Sequence, residues 1–382
     1  MNIYGEQLKL SIFGESHGPA IGIVVDGLPP GLPIDEAFIA REMQRRAPGN
    51  SHLSTPRKEA DQVEILSGSF RGTTTGAPLC AIIHNANTRS RDYEPSLPRP
   101  GHADLAAYWK YCGCSDYRGG GHFSGRLTAP LVFAGALCKQ LLSRHAIFVG
   151  AHIQQIGSFA GPRFSQPTKE LLDALRQSPF PTLSQDSRNA MEQQILEAKS
   201  EGDSVGGIIE ACAIGVPAGL GSPFFGSVES RLSSLLFSIP AVKGVEFGDG
   251  FSIASLRGSQ ANDPIVLAED GSIRTATNRN GGINGGITNA MPLVCRVAIK
   301  PTPSIALAQQ TVDLSLNRSA TLAVRGRHDP CIVPRAVSVV EAALAICLCD
   351  LLLCRAAETA EALPKKDFSQ EGGKPLQKGA LL

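Results

Sequence analysis

The chain has 382 residues, of which 42% are hydrophobic and 19% charged, with a formal net charge of +1. That is enough apolar material for a sizeable core in one large or two average domains, and it excludes disorder except at the ends. The balanced charge excludes the broad phosphate contacts of a nucleic-acid binder, so any anionic ligand has to be met by local arginine clusters.

The opening MNIYGEQLKLSIFGESHG has neither a basic leader nor a long apolar run, and a cytoplasmic protein is expected. LKLSIFG and AIGIVVDG read as strands, the second ended by Gly27 and Pro29-Pro30-Gly31. A helix follows, capped by Asp35, with Phe38, Ile39, Ala40 and Met43 as its apolar side and its end at Arg45 and Arg46 before Pro48-Gly49. EILSGSF and APLCAIIHN are two further strands. Helical patterns run from Asp104 to Tyr111 and from Leu127 to Leu142, the second apolar enough to be buried. Lys169 to Glu201 mixes polar helix with proline-containing loops and reads as surface.

From Val205 the text returns to strand and turn, VGGIIEACAIGVPAGLG, then a short helix LSSLLFSIP, then VKGVEFGDGF. This loosely echoes residues 20 to 50 and leaves a distant internal duplication open. VCRVAIK is a strand, Val337 to Ala357 a long apolar helix, and the polar stretch from Pro364 a disordered tail. Residues 1–362 are taken as one catalytic domain and 363–382 as the tail. Without regular βαβ alternation or a G-x-G-x-x-G after a strand, α+β layers are expected over a doubly wound nucleotide-binding sheet. The ten cysteines are scattered, none in a C-x-x-C pair, which predicts reduced thiols that are mostly buried.

Seven short segments combine Gly or Pro with Arg, His, Asp or Ser: GESHG (14–18), QRRAPG (44–49), RPGHAD (99–104), RGGGHFSGR (118–126), NGGINGGI (280–287), KPTPS (300–304) and RGRHDPCIVPR (325–335). Loops of this kind let a rigid scaffold aim groups at one ligand from several directions. Arg45, Arg46, Arg99, Arg118, Arg126, Arg325, Arg327 and Arg335 all fall within them. Guanidinium forks match carboxylates and phosphates, so a small polyanion is the expected ligand, although surface arginines also flank turns. His17 and His102 are candidate acids or bases because imidazole titrates near neutrality; each could equally be structural. Asp329 is a candidate base beside arginines or a turn Asp before Pro330. NGGINGGI offers close backbone approach or tight turns, and Lys300, Thr302 and Ser304 offer a cation and two hydroxyls. The sequence lacks H-E-x-x-H, a C-x-x-C pair, an EF-hand loop and G-x-S-x-G, and its cysteine pairs Cys112/Cys114 and Cys347/Cys349 are C-x-C, so neither a metal site nor a serine hydrolase is expected.

Taken in order, FGESHG, RRAPG, RPGHAD, DYRGGG, GDSVGG, VPAGLG, KGVEFGDGF, RGSQ, GGINGGI, KPTPS and GRHDPC resemble the chorismate synthase family from about residue 5 to residue 350. The resemblance implies a β-α-β sandwich, antiparallel sheets with helices between, assembled as a homotetramer. It implies loss of phosphate and a ring proton from 5-enolpyruvylshikimate 3-phosphate in a 1,4-anti elimination. Reduced FMN would be required without net oxidation, and NADPH would serve at most as an indirect reductant. Carried over by motif, His17 would be the acid near the leaving phosphate and His102 would assist protonation of the reduced flavin. Asp329 would act with flavin N5 in removing the ring proton. Arg46, Arg126, Arg327 and Arg335 would meet substrate anions. The FMN positions would fall on His122, Phe123, Ser124, Pro240, Ala241, Gly285, Lys300, Pro301, Thr302, Pro303, Ser304 and Arg327.

The chain departs from the family's commoner pattern in four places. His122 stands where many members have Arg, Phe123 where residues are small, Leu127 where Glu is usual, and Pro303 where a hydroxyl is usual. His52 occupies a position that is often Arg and has been linked to nicotinamide nucleotide binding. Two rival classes are a flavin-dependent oxidoreductase that uses the pocket for NADPH and a non-catalytic polyanion binder. The first would oxidise NADPH without the shikimate-derived substrate, and the second would bind it without releasing phosphate.

Overall fold

The structure is a computed structural model that describes residues 2–49, 53, 61–86, 93–269, 271–324 and 329–359. The predicted tail from Pro364, together with His52, Arg325 and Arg327, lies outside the described residues. Among the described residues two antiparallel sheets of five strands carry the architecture. The first contains β1 (Ile3–Tyr4), β2 (Lys9–Gly14), β3 (Ala20–Asp26), β4 (Val63–Ser67) and β5 (Leu79–His84), in the order β1-β2-β3-β5-β4. The second contains β6 (Phe148–Ile156), β7 (Phe159–Ala160), β8 (Gly207–Ile214), β9 (Val242–Phe247) and β10 (Leu293–Ile299), in the order β9-β10-β8-β6-β7. In chain order the helices are α1 (Glu36–Arg46), α2 (Asp104–Lys110), α3 (Thr128–Ser143), α4 (Lys169–Gln177), α5 (Gln185–Ser200), α6 (Val228–Ser238), the single turn α7 (Gly258–Ala261) and α8 (Val333–Thr359).

Alternation puts Ile21, Ile23 and Val25 of β3, and Leu79, Ala81 and Ile83 of β5, on the buried face of the first sheet. Across from them, Val149, Ala151 and Ile153 of β6 and Ile209, Ala211 and Ala213 of β8 line the second. Helix α3 touches β3 and β5 on one side and β6 on the other, while α8 packs on β6, β8 and α3. The helices therefore fill the space between the sheets, giving a β-α-β sandwich of the α+β class. At the α3–α8 crossing, a Cβ on Gly135 would come within 2.3 Å of the Ala342 Cβ, so only glycine admits this approach. Each large aliphatic side chain buried here contributes about 1.5–3 kcal/mol.

Most expected elements form where the pattern put them, with Asp35 Oδ1 capping α1 through Phe38 N at 2.8 Å. On α1, however, Ala40 is exposed, and Glu42 and Arg46 join Ile39 and Met43 on the buried side. The long apolar helix begins at Val333, four residues before the expected start at Val337, because proline is tolerated in a first helical turn. Helices α4 and α5 are not purely surface: Leu172, Leu175, Met191 and Ile195 are buried, and Leu172 sits against Gly150 of β6. Helix α8 is also long and apolar enough to cross a membrane over Val333–Glu358, yet 83% of its apolar window is buried in the fold. All ten cysteines are free, six of them buried.

Arg45 takes no part in a ligand site. It pairs with Glu341 at 2.7 Å and with Glu42 at 3.1 Å, in a buried cluster that Lys139 completes at 2.5 Å from each carboxylate. Burial pushes Glu341 up, but Arg45 and Lys139 outweigh it and hold the carboxyl below its usual range. The cluster ties α1, α3 and α8 together and so fixes the neighbouring Arg46.

Candidate active site

A cavity of about 980 Å³ opens where the C-terminal end of α1 meets the N-terminal ends of α3 and α8. Two long helices thus present the positive ends of their dipoles to it, which favours a bound anion.

Four guanidiniums line it: Arg99 from the loop before α2 and, grouped together, Arg46 from the last turn of α1, Arg126 from the turn before α3, and Arg335 from the first turn of α8. Arg46 and Arg126 are joined by a residue the sequence reading missed. Asp61, buried and in a left-handed backbone conformation (φ 47°), accepts from Arg46 with one oxygen and from Arg126 with the other. Burial pushes the Asp61 carboxyl up, and the two guanidiniums outweigh it and hold it below the usual range. Arg126 also donates to Asn85 Oδ1 at 3.0 Å and His84 O at 3.1 Å, and Arg46 to Thr128 Oγ1 at 3.3 Å and Gly125 O at 3.2 Å. Burial pushes the Arg46 guanidinium down to about 10, with Arg335 and Arg126 adding repulsion against the attraction of Asp61. It stays charged at neutral pH, and a polyanion would relieve that crowding. Arg335 donates to Arg46 O at 3.0 Å and pairs with Asp329, which also lines the cavity.

His17, in the loop after β2, and His102, before α2, face the same cavity. Tyr93, also unanticipated, makes an edge contact with the His17 ring at 5.5 Å between centroids, and the Arg99 guanidinium lies over the Tyr93 ring at 5.2 Å from its centroid. The glycine run connects the two imidazoles. Gly119, Gly120 and Gly121 all have positive φ (62°, 81° and 53°). A Cβ on Gly119 would stand 2.5 Å from His17 Cδ2 and Nε2, and one on Gly120 would stand 3.0 Å from His102 Cε1. Ser16 N donates to Gly121 O at 3.1 Å, binding the His17 loop to the run. Missing side chains here make room for histidines, a use of glycine that spacing alone does not reveal. A Gly119→Ala chain is expected to turn over roughly 10- to 100-fold more slowly, because the new methyl displaces His17 from its place. Steady-state rates check this, with an unchanged melting temperature separating it from unfolding.

His122, Phe123, Ser124, Pro240, Ala241, Lys300, Thr302, Pro303 and Ser304 line the remaining wall. His122 Nδ1 contacts Gly14 O at 2.8 Å; since a carbonyl only accepts, Nδ1 carries the proton. Lys300 donates to Gly101 O, and burial beside Lys243 pushes its ammonium down. Thr302 Oγ1 is buried with no hydrogen-bond partner among the described residues, which suits a ligand acceptor or donor. Leu127, in the place of the usual Glu, is a buried part of the wall.

Other candidates are not brought here. Arg118 forks onto Asp116 at 2.8 Å and lies outside the cavity wall, so it does not belong to the arginine cluster. Gly285, at φ 60° with open space around it, sits at the Ile283–Thr288 hairpin, whose neighbour Gly286 accepts from Val228 N at the start of α6. The second glycine cluster thus serves backbone packing away from this cavity. Pro301 is flanked by wall residues without lining the wall itself. Arg327 lies outside the described residues.

Guanidiniums suited to anions and imidazoles suited to proton exchange, facing one cleft, outline an enzyme site for a small polyanion. Comparison with known proteins narrows that class. The family model for chorismate synthase matches residues 8–353. The chorismate synthase of Thermococcus kodakarensis is 50% identical over 355 residues, 92% of this chain and 98% of that protein. That of Methanosarcina acetivorans is 46% identical over 354 residues, covering 92% and 96%. A solved structure described as the crystal structure of chorismate synthase superposes with a TM-score of 0.71 at 32% identity, covering 92% of this chain and 93% of that one. The chain belongs to the chorismate synthase family, and with it to the carbon–oxygen lyases that act on phosphates.

Proposed function

We propose that the protein eliminates phosphate from 5-enolpyruvylshikimate 3-phosphate in the 1,4-anti sense, giving chorismate at the last common step of the shikimate route to aromatic amino acids. The observation that carries this is the meeting of Arg46, Arg126 and Arg335 with His17 and His102 in one cavity. Two carboxylates and a phosphate need several guanidiniums, and a departing phosphate is stabilised by the same charges. A volume of about 980 Å³ is large for one small acid and leaves space for a flavin beside it.

The residues present fit reduced FMN. The ring-sized wall of His122, Phe123, Pro240 and Ala241, the ammonium of Lys300 and the unpartnered hydroxyl of Thr302 are the groups that would hold it. Reduced flavin, when bound, supplies electron density to the allylic C–O bond as it breaks. His17 gives its proton to the departing phosphate. Asp329, its charge held by Arg335, receives the ring proton at a carboxylate oxygen. His102 takes up and returns a proton at Nε2 in this reading. Ser124, Ser304 and Pro303 complete the cofactor wall, and Arg327 is assigned to both ligands from its motif.

The same reading takes residues 1–362 as one catalytic domain, supported by a hydrophobic core that is continuous from Leu8 to Leu351. It includes a homotetramer, supported by large apolar side chains open to solvent: Phe224, Phe225 and Phe251 are 85–95% exposed, and Ile265, Leu267 and Ile273 at least 70%. A cytoplasmic location is supported by ten free thiols.

An anaerobic assay tests the function. Purified protein, chemically reduced FMN and 5-enolpyruvylshikimate 3-phosphate should give chorismate absorbance and inorganic phosphate in equal amounts. No product under these conditions rejects the reading, and brisk NADPH oxidation without that substrate would favour an oxidoreductase.

A further inference from the structure

The motif R-P-G-H-A-D closes on itself. His102 N donates to Arg99 O at 3.2 Å, making a turn, and Asp104 reaches back across it. Oδ2 of Asp104 accepts from Arg99 Nε at 2.7 Å and from Arg99 N at 3.1 Å. Oδ1 accepts from Arg99 Nη2 at 2.8 Å and lies 2.6 Å from His102 Nδ1. Both oxygens are thus committed within the motif. Asp104 does not line the cavity, whereas Arg99 and His102 do.

The 2.6 Å contact decides where the imidazole proton sits. An unprotonated Nδ1 would set its lone pair against a carboxylate oxygen at that distance, so Nδ1 must carry hydrogen and donate. Arg99 Nη2 is also within hydrogen-bond distance of the same nitrogen, at 3.1 Å, and as a guanidinium it can only donate, which favours the opposite tautomer; the carboxylate contact is the shorter, at 2.6 Å, and it prevails. Burial pushes the Asp104 carboxyl up, but Arg99 and His102 outweigh it and hold it well below the usual range, so it remains an acceptor at any working pH. The far edge of the ring is bounded by Gly120, whose missing side chain leaves just enough space beside Cε1 and Nε2. A ring held at Nδ1 and fenced at Cε1 has one nitrogen left for proton exchange.

We propose that Asp104, pinned by the fork of Arg99, is the positioning residue that fixes the tautomer and orientation of His102, so that Nε2 is the nitrogen offered to the cavity. This rests on the reading of His102 as a proton-moving residue. Arg99 in turn lies over Tyr93, which borders His17, so the placement of one imidazole is mechanically joined to that of the other.

The test uses the full-length chain with its histidines labelled by nitrogen-15, His102 being assigned by difference from a His102→Ala chain. The native protein should show His102 with a proton on Nδ1. In Asp104→Asn the amide can present its NH2 group to the ring, and the Nδ1-protonated form should lose its dominance. The same variant should show kcat reduced roughly 10- to 10⁴-fold, the span for a histidine that loses its orienting carboxylate, with KM nearly unchanged. In a His102→Ala background the substitution should lower kcat no further. Asp104→Glu, which keeps the charge, should retain the native tautomer with an intermediate kcat, and it carries the test if the Asn variant fails to fold. An unaltered tautomer in Asp104→Asn, or an equal loss of kcat with and without His102, overturns the proposal. Normal turnover in His102→Ala would instead reject the role of His102, and the tautomer change alone would then decide the Asp104 contact.

Discussion

An Asp61→Asn chain is expected to lose about 3–5 kcal/mol of stability, the usual cost of breaking a buried charge pair from one side. Arg46 and Arg126 would remain buried, facing each other with the shared carboxylate gone. Their repulsion would drive at least one of them out of the wall, so turnover should fall with stability. Chemical denaturation measures the first effect and the phosphate-release rate the second. The pH dependence follows from the sign of the shift. Asp61 has a depressed folded value, so its stabilisation is fully present above the ordinary aspartate range and is lost as pH falls through the lower folded value. Wild-type stability should therefore decline below about pH 4, the ordinary aspartate value. The Asn variant should show a smaller acid loss. If the variant melts like the native chain, Asp61 is not the clamp between these arginines.

Substituting His17 by Ala is expected to slow turnover by about a hundredfold or more, the scale of a lost acid–base group. His102→Ala should do the same. The rates are read anaerobically with reduced FMN, so that flavin reduction does not mask the chemistry. His17 gives the sharper prediction of the two. With the imidazole gone, the leaving phosphate departs without its proton, so kcat should fall while the arginines still bind substrate and KM changes little. Near-normal rates in both variants would reject both roles. A large rise in KM alone would make His17 a binding group.

The elements were legible where their pattern was local. Alternation marked β3 and β5, the Asp35 cap marked the start of α1, and the unbroken apolar text of α3 marked a helix between layers. The start of α8 was not legible, because Pro334, three residues before Val337, reads as a breaker until it is seen to occupy a first turn. Ala40 was misassigned for a related reason: the buried side of α1 is set by Glu42 and Arg46, whose charges are matched from α3, α8 and Asp61, and no helical period predicts a buried charge.

At the site, the sequence supplied residue types, loop positions and the order of the motifs, which together carried the family resemblance. GESHG, RPGHAD, RGGGHFSGR, KPTPS and the Arg335 end of the last motif all reach one cavity. Arg45, Arg118 and NGGINGGI carried the same signals and serve elsewhere, since a guanidinium takes whichever carboxylate the fold brings to it, and a glycine pair suits a hairpin as well as a ligand. Conversely, Asp61 and Tyr93 stand in text without any motif.

By itself, then, the sequence determined the α+β class and the family, because these depend on local pattern and on motif order. Only the tertiary structure decided which arginines share a wall, that Asp61 joins two of them, and that the glycines of RGGGHFSGR clear space for His17 and His102. Those outcomes depend on contacts between residues far apart in the chain, where distance and burial choose the partner and composition does not.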